Sequence, residues 1–263
     1  LTQIRVLILT GRRRGIASRC LPELCNSDNI IVSQVILSSG TAPDKKKQRR
    51  RKLLKILKIG ILGALNGIRM RPWYEEDQEP DIEQLCKKSG IPFAETAAIN
   101  SDQTRQLFRQ SEADLGLSLG NGFIAESVFS IPKFGMVNIH CERLPEYQNA
   151  QSIIWPVYNN EVSTGLTVHQ VDKKIDTGNI LHQETYPIEF HVSLEQTVRH
   201  NVKRTYEKVP GAMRHVCENY VSLQATAEPQ GHGSSYTTPS IWQFMRMARN
   251  NHQLYKKTRA NNP

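Results

Sequence analysis

The chain is poor in cysteine, in aromatic residues and in long apolar runs. Its 263 residues include five cysteines (Cys20, Cys25, Cys86, Cys141 and Cys217), and aromatics make up 7%. The cysteines are scattered, odd in number and without the short paired spacing of a zinc site. This argues against a disulfide framework and against a metal. No run approaches the length of a membrane-spanning helix, and no secretory leader is recognisable. These absences predict a cytoplasmic, metal-free protein. At 38% hydrophobic content the chain still has ample material for a core and an appendage.

A nucleotide fingerprint is also lacking. Ile4 to Leu9 is a β-rich apolar run, closed by Thr10-Gly11 and followed by a helix of about Ile16 to Cys25. Strand, glycine and helix suggest a Rossmann-like start. Only Gly11 and Gly15 are present, without Gly-x-Gly-x-x-Gly, so NAD is not predicted. Arg12, Arg13 and Arg14 lie where such folds bind ligands, and suit either a phosphate on an acceptor or solvent.

Acidic residues are missing from one stretch altogether. Lys45, Lys46, Lys47, Arg49, Arg50, Arg51, Lys52, Lys55 and Lys58 are nine cations in fourteen residues. The formal net charge is +9, so this stretch accounts for all of it. Leu53, Leu54, Leu57, Ile61, Leu62 and Leu65 recur at near-helical spacing, which predicts a basic amphipathic helix from about Lys46 to Leu65. Three roles suit it. It can pack on the domain with a solvated basic face, meet an anionic membrane surface through 45–58, or meet tRNA or another polyanion. No aromatics interleave the cations, which argues against nucleic acid. Trp73 and Tyr74 suit an interfacial anchor or the core.

The remaining elements alternate. Asp81 to Ser89 reads as a helix ended by Gly90, and Ile91 to Ala94 as a strand. Ser101 caps a helix over Asp102 to Gln110. A central strand from Asp114 to Leu119 leads into the glycine loop Gly120-Asn121-Gly122-Phe123-Ile124. Ser152 to Tyr158 reads as a helix, Thr164 to Val171 and Asn179 to Tyr186 as strands. Val192 to Tyr220 is one helix or two, interrupted at Pro210-Gly211. Leu223 to Tyr236 is polar loop, and a last helix runs to about Lys257. The fold class is α/β, with a mostly parallel central sheet and a short, mostly helical C-terminal extension. The division falls near residue 190: 1–190 with the basic insertion 45–66, then 191–263.

The chemistry is concentrated between Gly135 and Gly178. Val137-Asn138-Ile139-His140 alternates as a strand end, so Asn138 and His140 share a face. An amide there can donate to a developing oxyanion, and an imidazole can move a proton at neutral pH. Asp176, in Ile175-Asp176-Thr177-Gly178, is a candidate to orient that histidine. His169 shares a face with Thr167 and Val171 and reads as packing or support rather than as a catalyst.

Asn138-Ile139-His140, Arg143-Leu144-Pro145-Glu146-Tyr147, Thr164-Gly165-Leu166-Thr167-Val168-His169 and Asp176-Thr177-Gly178 resemble the catalytic domain of the folate-dependent formyltransferases. The 38-residue interval from Asn138 to Asp176 also matches that family. The resemblance spans about residues 4 to 190 and is sharp from 114 to 181. It implies a Rossmann-like formyltransferase domain and 10-formyltetrahydrofolate as co-substrate. It implies Asn138, His140 and Asp176 as the catalytic group. It places the folate against Leu119, Gly120, Asn121, Gly122, Phe123 and Ile124, with Leu144 and Pro145 lining the same pocket. Many members carry Arg-Gly where this chain has Gln148-Asn149, a departure that touches the acceptor side. Some sixty residues follow position 200, too few for the β-barrel that methionyl-tRNA formyltransferases add. That points to a small amine acceptor such as a nucleotide-linked amino sugar, and to a possible homodimer. The alternatives are a methionyl-tRNA formyltransferase, a formyltetrahydrofolate hydrolase using water, and a non-catalytic folate-binding homologue.

Overall fold

The computed structural model describes residues 3–38, 40, 45–75 and 79–260. Residues 1–2 and 261–263, at the ends of the two expected regions, lie outside that set, as do the side chains of Lys45, Lys46, Lys47 and Arg51 in the basic run.

Among the described residues seven strands form one sheet: β1 (Ile4–Thr10), β2 (Ile30–Ser38), β3 (Phe93–Thr96), β4 (Leu115–Leu119), β5 (Met136–His140), β6 (Ser163–Gln170) and β7 (Ile180–Pro187). Their order is β3-β2-β1-β4-β5-β6-β7. The first five are parallel, and β6 pairs antiparallel with β5 on one side and β7 on the other. The helices are α1 (Ile16–Cys25), α2 (Lys45–Arg69), α3 (Ile82–Ser89), α4 (Asp102–Gln110), α5 (Glu126–Phe129), α6 (Ile154–Tyr158), α7 (Leu194–Glu218), α8 (Tyr220–Thr226) and α9 (Ile241–Ala260). This is the α/β class, with helices on both faces of a mostly parallel sheet.

β1 is apolar on both sides because both sides are covered. Val6 and Ile8 face a core shared with α1, α3 and α7, including Leu21, Ile82, Val209 and Met213. Leu7 and Leu9 face a second core with Ile99, Phe108, Ile124 and Val128. A third cluster lies under α9 and holds Trp73, Trp155, Leu194 and Met247. Trp73 is thus a core residue. The chain leaves β1 toward β2 and β3, then returns to the other side of β1 as β4. Ligands of open α/β sheets bind at such a reversal, outside the carboxyl ends of the strands.

Local signals hold where side chains act on their own backbone. Ser101 accepts from the Thr104 N–H, Asp81 from Glu83, and Ser193 forms a capping box with Gln196. Several boundaries differ from the sequence reading. β3 begins two residues late, because Ile91 closes α3 through its N–H bond to Cys86 before the strand meets β2. α8 takes the first four residues of the predicted 223–236 loop. Pro210 does not interrupt α7, which runs unbroken through it. An interior proline costs about 3 kcal/mol. Val209, Ala212, Met213 and Val216 around it are buried, at about 1.5–3 kcal/mol for each large side chain, so packing wins. Finally, α2 extends to Arg69 and is broken at Gly60 (φ 76°).

Candidate active site

β5 and β6 assemble the centre of the site. Asn138 and His140 alternate onto one face, and the antiparallel register sets His169 opposite Asn138 and Thr167 opposite His140. The loop joining β6 to β7 then folds back over them. Thr177 donates its hydroxyl to the Asp172 carboxylate. Gly178 lies so near Gln170 that a Cβ would sit 2.0 Å from its carbonyl oxygen, so only glycine fits. Asp176, held at φ 55°, turns its carboxylate between both histidines. Oδ2 is 3.5 Å from His140 Nδ1, and Oδ1 is 3.5 Å from His169 Nε2. The Asn149 N–H donates to Oδ2 at 2.8 Å.

These contacts assign the proton positions. His140 Nε2 lies 2.8 Å from the Tyr147 carbonyl oxygen, so it carries hydrogen and leaves Nδ1 as the basic atom. His169 Nδ1 lies 2.8 Å from the Gln170 carbonyl and likewise donates. Its Nε2 stands 3.2 Å from Asn138 Nδ2. Neutral, His169 accepts one N–H from Asn138; protonated, it donates to Asp176. In the neutral arrangement the second N–H of Asn138 remains available to a ligand oxygen.

Electrostatics separate the two titrating partners. Burial lowers the His140 pKa, outweighing the Asp176 charge and the Tyr147 carbonyl. Burial pushes Asp176 the other way, but the His169 hydrogen bond, the charges of both histidines and the Asn149 N–H hold it down to about 2. At neutral pH the pair is therefore a neutral imidazole beside a carboxylate, an arrangement able to accept a proton.

A buried frame supports this group. Glu142 is fully buried and accepts the Ile153 N–H at 2.6 Å and the Thr164 hydroxyl at 2.9 Å. Burial pushes its pKa up to about 7, against the pull of those two bonds. Thr167 donates to the Glu142 carbonyl and accepts from the Leu144 N–H.

A cavity of about 650 Å³ opens above the group. Its wall includes Gly120, Asn121, Gly122, Phe123 and Ile124 on one side, and Asn149, Ala150 and Gln151 on another. Arg12 and Lys174 also line it, and among the described residues neither side chain has a protein partner. Asn121 is tied down through Nδ2 to the Leu9 carbonyl, while its Oδ1 is buried without a protein hydrogen bond. Gln151 Oε1 is in the same condition. Among the described residues no cluster of three His, Cys, Asp or Glu could hold a metal ion.

The sequence model of the family described as "Formyl transferase" matches residues 74–211, which run from the 3₁₀ turn Arg71–Tyr74 into α7 and contain the whole Asn138–Asp176 group. The chain belongs to the formyl transferase family. The methionyl-tRNA formyltransferase of Deinococcus radiodurans is 37% identical over 112 residues, covering 41% of this chain and 35% of that protein. The one from Bacteroides thetaiotaomicron is 29% identical over 111 residues, covering 42% and 34%. The match thus spans about a third of the length of these curated relatives. Among solved structures, a phosphoribosylglycinamide formyltransferase from Anaplasma phagocytophilum superposes with a TM-score of 0.55 at 13% identity, over 90% of this chain and 100% of that one. An N-formyltransferase from Helicobacter canadensis, crystallised with folinic acid and dTDP-3-aminofucose, gives 0.52 at 16%, over 98% and 82%. At such identities these two show the fold.

Within this member of the family the expected residues divide. Asn138, His140 and Asp176 meet at the cavity floor, and Gly120 to Ile124 form its wall. Leu119, Leu144 and Pro145 are not among the residues that line it. Leu119 is buried in the main core as the last residue of β4. Leu144 is buried behind β6, its carbonyl accepting from Gln183, and the Pro145 carbonyl closes on Gly233. His169, expected as packing or support, touches both Asn138 and Asp176; Asn149, expected on the acceptor side, donates its N–H to Asp176; Gln151 was not singled out from the sequence. The β5–β6 register that brings His169 in has no signature in a single sequence.

Proposed function

We propose that this chain transfers the formyl group of 10-formyltetrahydrofolate to a primary amine. The observation that carries the reading is the closed group Asn138–His169–Asp176–His140 at the floor of a cavity walled by a glycine loop. The folate supplies an electrophilic formyl carbon. The residues present suit it: the loop backbone at Gly120 to Ile124, the unpartnered Asn121 Oδ1 and the half-exposed Phe123 ring offer hydrogen bonds and an apolar face to a flat, donor-rich ring system.

In this reading Asn138 directs its free N–H at the formyl oxygen as negative charge develops there. Donors of that kind are worth about 2.7–4 kcal/mol. The amine nitrogen bonds to the formyl carbon, His140 Nδ1 takes the proton it releases, and that proton passes to N10 as the bond between the formyl carbon and N10 breaks and tetrahydrofolate leaves. Asp176 stabilises the resulting imidazolium, and Tyr147 fixes the ring through Nε2. His169 holds the Asn138 amide in the donating orientation.

The acceptor is proposed to be a small amine carried on an anionic group, such as a nucleotide-linked amino sugar. Arg12 and Lys174 at the cavity wall, cations without a partner among the described residues, favour this over an uncharged amine. The Helicobacter canadensis protein is in complex with a molecule of this chemical kind, dTDP-3-aminofucose.

The test is a turnover assay. The protein is mixed with 10-formyltetrahydrofolate and, separately, nucleotide-linked 3- and 4-amino sugars, glycinamide ribonucleotide, methionyl-tRNA or water alone. Tetrahydrofolate release is followed, with His140→Ala as control. Turnover with an amino sugar supports the reading. Turnover with charged tRNA overturns the acceptor class, release in water alone makes the protein a hydrolase, and silence with folate bound refutes catalysis with these acceptors.

A further inference from the structure

Most of the large apolar residues of α2 do not pack on the domain. Gly60 divides the helix in two: Ile59 is buried at the end of the first segment, and the second buries Gly63 and Asn66, in helical register with the buried Met70 just past its end. Gly63 and Gly67 let it approach the chain before α9: a Cβ would stand 3.1 Å from the Ser240 Cα at the first and 2.5 Å from Thr238 Cγ2 at the second. The opposite face carries Ile61, Leu65 and Ile68, which are 72%, 58% and 54% exposed. In the first segment Leu53, Leu54 and Leu57 fall on one side of the helix, and Lys52, Lys55 and Lys58 on the other, all of them exposed. Trp242, at the start of α9 and two residues beyond Ser240, is 75% exposed.

The charge is equally one-sided. No acidic residue occurs between Asp44 and Glu75. Among the described residues no hydrogen bond or ion pair engages Arg49, Arg50, Lys52, Lys55 or Lys58. A folded domain rarely leaves so long an apolar stripe open without a use. The helix is too charged, and broken at Gly60, to span a bilayer: among the described residues no helix is long and apolar enough to cross one.

We propose that α2 docks this protein on an anionic lipid bilayer. The helix lies in the plane of the interface, with Leu57, Ile61 and Leu65 at the acyl boundary and the cations among headgroup phosphates. Only the bilayer among the candidate occupants supplies both an apolar layer and dense negative charge. A second copy of the chain would bring another run of unpaired cations to the same contact. A nucleic acid would satisfy the cations and leave the leucines and isoleucines in water. The proposal is independent of the acceptor, since α2 contributes nothing to the cavity wall.

The test is flotation of the full chain with vesicles of phosphatidylcholine alone, or with roughly one-third phosphatidylglycerol, at low and high salt. The expected result is binding at least about tenfold tighter to the anionic vesicles, weakened by salt. The triple variant Leu57→Gln, Ile61→Gln, Leu65→Gln should bind at least about tenfold less, with unchanged melting temperature and turnover. The triple variant Lys52→Glu, Lys55→Glu, Lys58→Glu should lose the preference for anionic lipid. Absence of wild-type flotation, or equal binding by the glutamine variant, overturns the proposal. So does a dimer in sedimentation velocity that the glutamine variant abolishes while vesicles stay unbound. RNA binding that survives in the glutamine variant while vesicles stay unbound also overturns it.

Discussion

Replacing Asp176 by asparagine isolates the charge that the site is built around. Asparagine tolerates the left-handed backbone conformation at this position (φ 55°), so the loop can keep its course. Its carbonyl oxygen can still accept from the Asn149 N–H, which now bonds Oδ2 at 2.8 Å. What disappears is the negative charge 3.5 Å from His140 Nδ1. Taking a proton there creates an imidazolium in a buried place, where burial already depresses the histidine pKa. At 3.5 Å the attraction is about 5 kcal/mol for an effective dielectric constant of about 20. The amide dipole and entering water recover part of this, so a net loss of about 3–4 kcal/mol is expected, or about 10²- to 10³-fold in kcat. The assay is initial-rate tetrahydrofolate release across pH 5–9 (a range of about four decades in proton activity,), with folate affinity measured in parallel by fluorescence quenching. Folate binding should stay within about twofold, because Asp176 is proposed to act on the proton and not on the ring. A variant that keeps kcat within about tenfold of wild type would refute the reasoning. A parallel collapse of folate affinity and melting temperature would make Asp176 a structural residue.

Three further outcomes are expected. Glu142 is a carboxyl whose pKa burial pushes up to about 7 from its ordinary 4.5, so it penalises the fold above that range and the penalty vanishes as pH falls toward 4.5. Urea unfolding of wild type and Glu142→Gln at pH 8 and pH 5 should show the difference between them shifting toward wild type at pH 5, by up to about 3 kcal/mol; comparing the two proteins cancels the opposite trend from His140. A pH-independent difference would mean the carboxyl titrates normally. Arg12→Ala removes an unpaired cation from the cavity wall and should raise KM for an anionic acceptor about tenfold or more while leaving KM for the folate unchanged; a change confined to the folate would place the donor, not the acceptor, beside Arg12. Gly178→Ala forces a Cβ onto the Gln170 backbone and should cost about 1–3 kcal/mol in thermal unfolding and lower kcat by displacing Asp176, two residues away; a stable, fully active variant would show that the loop gives way freely.

Sequence alone determined what depends on neighbours along the chain. The caps at Ser101, Asp81 and Ser193 and the limits of α1 and α4 are local hydrogen-bonding and periodicity effects, legible residue by residue. The alternation of Val137 to His140 placed Asn138 and His140 on one face, and the recurrent motifs marked Asp176 as their partner. Tertiary structure decided the rest, because it turned on contacts between segments far apart. Pairing of β5 with β6 put His169 against Asn138, and a one-residue slip would have turned it away. Packing of α7 against α1 overrode Pro210. Leu144 is buried, with its N–H donating to Thr167 and its carbonyl accepting from Gln183, two contacts made across the sheet. The direction of α2 was set in the same way. Its spacing showed that it was amphipathic, but the close fit of Gly63 and Gly67 to residues 238–240 chose which face went inward, and left the larger apolar side chains outside.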